Sequence, residues 1–193
     1  MKLFVGILLL TGYHRLHYWS LDCDLNVSIV ANAMSRNRFL EIKKYIHLAD
    51  NDHFDKNDKM SKLRPLMTKL NQNFQQWGLF HEHLSIDEAM VKGKPVRFGY
   101  KNWMLCSSTG YTYGFDTYCG AKGTSKPEVN TLPLGSRVIL DLLDIISVPS
   151  DHVVFFDNYF SSHGLLKLLK ERGQRATGTV RDNRMRKCPF FGT

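Results

Sequence analysis

Apolar positions in the first eighty residues recur at helical spacing. Beyond Ser35, a residue type that caps helix N-termini, Phe39, Ile42 and Ile46 fall on one side of a 3.6-residue turn, and Arg36, Arg38, Lys43 and Lys44 take the others. After the polar, acidic stretch 50–58, the residues Leu63, Leu66, Leu70, Phe74 and Trp77 predict a second helix with a core-facing stripe. Pro65 is tolerated in its first turn and Trp77-Gly78 ends it. From His83 the rhythm shortens. Leu84 to Val91, Arg97 to Cys106 and Thr112 to Ala121 are rich in apolar and aromatic residues. Turn chemistry parts them at Gly93-Lys94-Pro95 and Ser107-Ser108-Thr109-Gly110, which predicts three antiparallel strands.

A loop through Gly123 to Pro127 then leads to a helix from Leu134 to Ile146, whose apolar side is Val138, Ile139, Leu142, Leu143 and Ile146 and which Pro149 closes. His152 to Asp157 carries a continuous apolar run, the pattern of a strand buried on both faces. A helix from Ser162 to Arg172 stops at Gly173, and Arg175 to Arg181 supplies a fifth strand. The order β-β-β-α-β-α-β is a three-stranded meander extended by parallel strands through helical crossovers. It predicts an α/β fold with an RNase H-like mixed sheet, preceded by a helical region. Right-handed crossover sets the fourth strand beside the first and parallel to it.

Composition fits a folded chain. Of 193 residues 43% are hydrophobic, 12% aromatic and 23% charged, and nothing is repetitive or of low complexity. The formal net charge of +8 and pI near 9.4 favour a polyanionic partner, since each neutralised phosphate releases counterions. Cys23, Cys106, Cys119 and Cys188 form no Cys-x-x-Cys pair, so neither a zinc module nor a disulfide framework is written here. The start from Met1 to Leu10 has the basic and apolar parts of a signal peptide, but Thr11-Gly12-Tyr13-His14-Arg15 offers no small-x-small cleavage site. A core helix is the expectation. No apolar run reaches the ~20 residues of a membrane span.

Two carboxylates stand where chemistry would be. Asp87 lies within the first strand and Asp157 at the carboxyl end of the fourth; if those strands are parallel neighbours about 4.8 Å apart, both side chains reach one cation. An aspartate after an apolar run often only ends a strand. Here an acid set among Phe155, Phe156 and Tyr159 is costly to desolvate without compensation, and a metal would compensate it. Magnesium prefers hard oxygen ligands, commonly one or two carboxylates plus substrate phosphate oxygens. Glu88 and Asn158 should point to the opposite face. The eight histidines show no metal spacing, and His81-x-His83 reads as a solvated turn. Ser107-Ser108 and Ser161-Ser162 lack the Gly-x-Ser-x-Gly elbow of a serine hydrolase. The run Arg181, Arg184, Arg186 and Lys187 reads as a solvated face.

Five ordered stretches resemble piggyBac transposable-element-derived proteins. They are 34–39 (Met-Ser-Arg-Asn-Arg-Phe); 84–91 (Leu-Ser-Ile-Asp-Glu-Ala-Met-Val); Gly93-Lys94-Pro95 with Gly99-Tyr100-Lys101; 156–162 (Phe-Asp-Asn-Tyr-Phe-Ser-Ser); and 176–181 (Ala-Thr-Gly-Thr-Val-Arg) with Asn183-Arg184. The resemblance covers nearly the whole chain. It implies an RNase H-like core of the three-aspartate kind, with Asp87 and Asp157 as the first two catalytic acids and ligands of Mg2+ (or Mn2+). It also implies cutting and joining of double-stranded DNA, with a homodimer as one arrangement and a nuclear location. Residues 1–82 then correspond to part of a helical DNA-binding and dimerisation region, and 83–193 to part of the catalytic core.

Three departures qualify what it implies. The family's third aspartate lies in a Gly-Gly-Val-Asp type segment that does not occur before Thr193, and Asp182 is a poor substitute. The cysteine-rich zinc domain is absent, and the connection after Val91 is shorter than in relatives. The expectation is therefore a fragment, a decayed copy or an incomplete gene model. Such a chain lacks the last part of the core, does not cut DNA, and leaves apolar sheet surface exposed. The alternative is a domesticated, non-catalytic DNA-binding or chromatin-associated protein.

Overall fold

The computed structural model describes residues 1–11, 17–22, 24–53, 55–89, 101–118 and 132–181. The Gly93-Lys94-Pro95 connection, the loop at Gly123 to Pro127, Asp182, the basic run beyond Arg181, and Cys23, Cys119 and Cys188 lie outside the described residues. The chain divides into two compact units, Met1–Phe54 and Asp55–Thr193.

The first unit holds helices α1 (Lys2–Thr11), α2 (Ser28–Ala33) and α3 (Arg36–Tyr45). Ser35 caps α3 as expected, its hydroxyl accepting the Arg38 N–H at 3.3 Å. The core is small and aromatic: Phe4, Ile7, Tyr18, Val30 and Phe39 are buried, and the Phe39 ring lies 5.2 Å from that of Phe4 and 5.3 Å from that of Trp19. Polar edges of these rings are satisfied. Trp19 Nε1 donates to the Met34 carbonyl at 2.7 Å and the Tyr18 hydroxyl to that of Leu10 at 3.1 Å. Helix α1 is a core helix through Phe4 and Ile7, with Leu8 packed beside them, while Leu3, Val5, Leu9 and Leu10 are exposed.

The second unit is a five-stranded mixed sheet with helices α4 (Arg64–Trp77), α5 (Leu134–Leu143) and α6 (His163–Glu171). Strands β1 (His83–Ala89), β2 (Asn102–Ser107), β3 (Thr112–Thr117), β4 (Val153–Phe156) and β5 (Arg175–Gly178) lie in the order β3-β2-β1-β4-β5. The meander is antiparallel, and β4 runs parallel to both β1 and β5. This is the mixed sheet that the element order predicts. Leu84, Ile86, Trp103, Leu105, Val154 and Phe156 share one face, and with Ile139, Leu142, Leu165 and Leu169 of α5 and α6 they form one core.

Two expectations are corrected. Strand β4 is buried on one face, not two: Phe155 is 40% exposed and Val153 half-buried, because α5 and α6 join the same core on the same side. The stripe on α4 is not core either. Leu63 and Leu66 are each 41% exposed and Trp77 76%, whereas Met67 is buried. The helix is turned so that Met67, Asn71 and Phe74, spaced four and three residues apart, come to one side. There the Asn71 side chain donates to the Phe115 carbonyl at 2.9 Å and accepts the Phe115 N–H at 3.0 Å, and Phe74 meets Phe115 edge-on at 6.3 Å. An amide thus occupies the open edge of β3, which would otherwise present unpaired backbone groups. Arg64 adds ion pairs to Asp58 at 2.7 Å and Asp116 at 3.2 Å. Compactness therefore groups α4 with the sheet.

Candidate functional site

Strand alternation settles which side chains leave the core. On β1, Leu84 and Ile86 are buried and Ser85 and Asp87 lie on the opposite face, where Asp87 is exposed. The parallel register pairs Leu84 with Val154 and Ile86 with Phe156. One residue further along each strand stand Asp87, two residues before β1 ends at Ala89, and Asp157, the residue just past β4. Both are exposed.

The two carboxylates are anchored locally. Asp87 Oδ1 accepts the Glu88 N–H at 2.7 Å. Asp157 Oδ1 accepts the Tyr159 N–H at 2.8 Å, a side-chain turn that fixes its rotamer. No lysine or arginine among the described residues is paired with either. Among the described residues neither carboxylate therefore has a protein cation to offset it, which a bound cation would do.

The loop after Asp157 is held from beneath. The buried Ser161 donates its hydroxyl to the Asp157 carbonyl at 3.1 Å, and the buried Ser136 of α5 donates to that of Phe160 at 3.0 Å. Ser162 Oγ, 2.8 Å from Ser136 Oγ, accepts the Leu165 N–H at 3.2 Å and so caps α6. A Cβ on Gly135 would stand 2.7 Å from the Tyr159 carbonyl oxygen, so only glycine lets α5 approach this loop. In the sequence Ser136 and Gly135 carry no chemical signature, being two small residues at the start of an apolar helix.

Glu88 behaves as the strand pattern foretold. It leaves Asp87's face, is half-buried, and pairs with Lys101, whose Nζ lies 2.9 Å and 3.1 Å from its two oxygens. Asn158 Oδ1 accepts the Arg181 Nε–H at 2.9 Å. His81 is exposed, as expected of it, and is tied as well: its backbone N–H reaches the Tyr113 hydroxyl at 3.2 Å and its Nδ1 meets the same oxygen.

Two carboxylates with exposed oxygens fit a divalent ion that completes its shell with water and substrate oxygens. Among the described residues no group of three His, Cys, Asp or Glu side chains could hold a metal by itself.

A sheet of order 3-2-1-4-5, with Asp87 in its first strand and Asp157 just past its fourth, defines an RNase H-like α/β fold. A family model described as Transposase IS4 matches residues 1–190, and the chain belongs to that family, in its piggyBac-type branch. It is 36% identical to human PiggyBac transposable element-derived protein 2 and 35% identical to human PiggyBac transposable element-derived protein 3, over 98% of its own length in each comparison. It spans 35% of the length of each of those relatives. Its structure is similar to a piggyBac transposase synaptic complex with hairpin DNA solved by cryo-electron microscopy. The TM-score is 0.77 at 26% identity, with 97% of this chain and 42% of that one covered.

Proposed function

We propose that Asp87 and Asp157 are two catalytic carboxylates of a piggyBac-type transposase-derived protein, and that they hold a magnesium or manganese ion against double-stranded DNA. The observation that supports this most is the β1–β4 register, which pairs Ile86 with Phe156, the residues just before Asp87 and Asp157. When bound, such an ion polarises a phosphodiester and helps activate the attacking water or hydroxyl. The chain's own part is to present two anionic oxygens at that spot and keep them there. Strand pairing fixes Asp87; the Tyr159 N–H and the Ser161 hydroxyl fix Asp157. DNA as partner is supported by the net charge of +8 and by the solved relative, a complex with hairpin DNA.

A second reading, a domesticated DNA-binding protein without catalysis, is favoured by the count of carboxylates. Among the described residues no group of three His, Cys, Asp or Glu side chains is gathered, and in-line displacement with two ions calls for more ligands than Asp87 and Asp157. The test incubates the purified 193-residue chain with a labelled transposon-end duplex and magnesium or manganese. Binding should strengthen with the metal, lose that increment in Asp87→Ala and in Asp157→Ala, and weaken linearly in log affinity against log salt. The duplex should stay uncut. Nicking that both substitutions abolish would place activity in this chain and support the pair. Nicking that survives both would overturn the assignment.

A further inference from the structure

The residue that follows Asp87 and the residue two beyond Asp157 are touched by one ammonium group. Lys101 stands just before β2, where its carbonyl accepts the Tyr118 N–H at 2.8 Å, so its backbone is fixed to the meander. Its Nζ binds both Glu88 oxygens, at 2.9 Å and 3.1 Å, and lies 5.8 Å from the centre of the Tyr159 ring. Tyr159 in turn supplies the N–H that Asp157 Oδ1 accepts. The ion pair is sheltered on the Glu88 side, whose side chain is 20% exposed against 41% for Lys101. The hydrogen bond to Glu88 holds the Lys101 ammonium above its ordinary value, burial opposing, so it stays charged at neutral pH.

Glu88 would otherwise be a third negative charge at this strand end. Uncompensated, it would draw cations harder and repel the phosphates of an approaching duplex. We infer that Lys101 is a positioning residue for the acidic pair: it holds Glu88 on the core-side face and cancels its charge, so that a cation meets Asp87 and Asp157 alone. The inference rests on the reading of those two aspartates as a cation site.

The consequence is a pair of opposite signs. Lys101→Met leaves Glu88 uncompensated and should tighten manganese binding threefold or more at low ionic strength. Glu88→Gln leaves Lys101 uncompensated and should weaken it by a similar factor. The double variant Glu88→Gln/Lys101→Met restores neutrality and should return to the wild-type value, as should Lys101→Arg. All effects should shrink at 0.5 M salt, where screening acts over less than about 10 Å. A merely structural role moves the unfolding temperature but cannot produce opposite signs or a neutral double variant.

The measurement is manganese titration of the full 193-residue chain, followed by electron paramagnetic resonance, beside Asp87→Ala and Asp157→Ala controls. If the wild type binds manganese through both aspartates, and Lys101→Met and Glu88→Gln shift affinity in the same direction or not at all, the inference fails and the site stands. If binding does not depend on the two aspartates, the site itself fails and takes the inference with it.

Discussion

At their amino ends β1, β4 and β5 are laced together, while at their carboxyl ends β1 and β4 present two like charges to solvent. The lacing is dense. The Tyr113 hydroxyl donates to the Leu79 carbonyl at 2.7 Å and accepts the His81 backbone N–H, while His152 Nδ1 lies 2.8 Å from the His81 carbonyl. Gln174, buried in the connection from α6 to β5, donates to the carbonyls of His152 at 2.9 Å and Arg175 at 3.2 Å. Val153 donates to Glu82 at 2.7 Å, and Arg175 pairs with the Glu82 carboxylate at 3.4 Å. At the other end, among the described residues, local turns hold Asp87 and Asp157, Ser161 bonds the Asp157 carbonyl and Lys101 pairs with Glu88. The difference teaches that one sheet can separate its ends by strand direction: the amino ends are tied together, and towards the carboxyl ends two carboxylates are left in solvent. Crevices at the carboxyl ends of parallel strands are where open α/β sheets take ligands.

The comparison can be broken most readily at the tied end. Tyr113→Phe removes one hydroxyl from a ring that is fully buried and leaves the Leu79 carbonyl and the His81 N–H without it. A loss of about 1–3 kcal/mol is expected in urea unfolding. Ser161→Ala, beneath the site, removes one hydrogen bond to the Asp157 carbonyl and should cost about 0.5–1.5 kcal/mol in the same assay. At the charged end, Asp87→Asn and Asp157→Asn should leave unfolding free energy within about 0.5 kcal/mol of the wild type, or raise it, because like charges are being removed. The smallest effect belongs to Lys101. Its value is raised above the ordinary 10.5 by Glu88, so its stabilisation is full below that value and fades as pH rises through the higher folded one. Unfolding midpoints from neutral to strongly alkaline pH should therefore fall slightly more steeply in the wild type than in Lys101→Met.

Much of this was written in the residues. The β1 alternation, with Leu84 and Ile86 inward and Asp87 outward, and the strand–helix alternation after it predict the sheet order and the neighbours of Asp87. Ser35 and Ser162 announce two helix starts. What pattern alone could not give was the partner of each face. The α4 stripe looks like core, yet the helix turns a polar Asn71 to the sheet because an edge strand needs backbone partners more than it needs apolar cover. The run at β4 looks buried on both sides, yet burial depends on where α5 and α6 lie, which no local window records. The bonds of His81 depend on Tyr113, 32 positions away, and so leave no trace in its own neighbourhood.

The most direct test of the central claim is whether the charged end binds a divalent ion while contributing nothing to the tied end. Manganese titrated into the wild-type chain, Asp87→Asn and Asp157→Asn, with unfolding midpoints measured on the same samples, decides it. The account predicts one ion bound by the wild type, affinity lowered at least about tenfold (roughly 1.4 kcal/mol) by either substitution, and midpoints unchanged or raised in metal-free buffer. Equal manganese binding by all three chains, or none by the wild type, would contradict it.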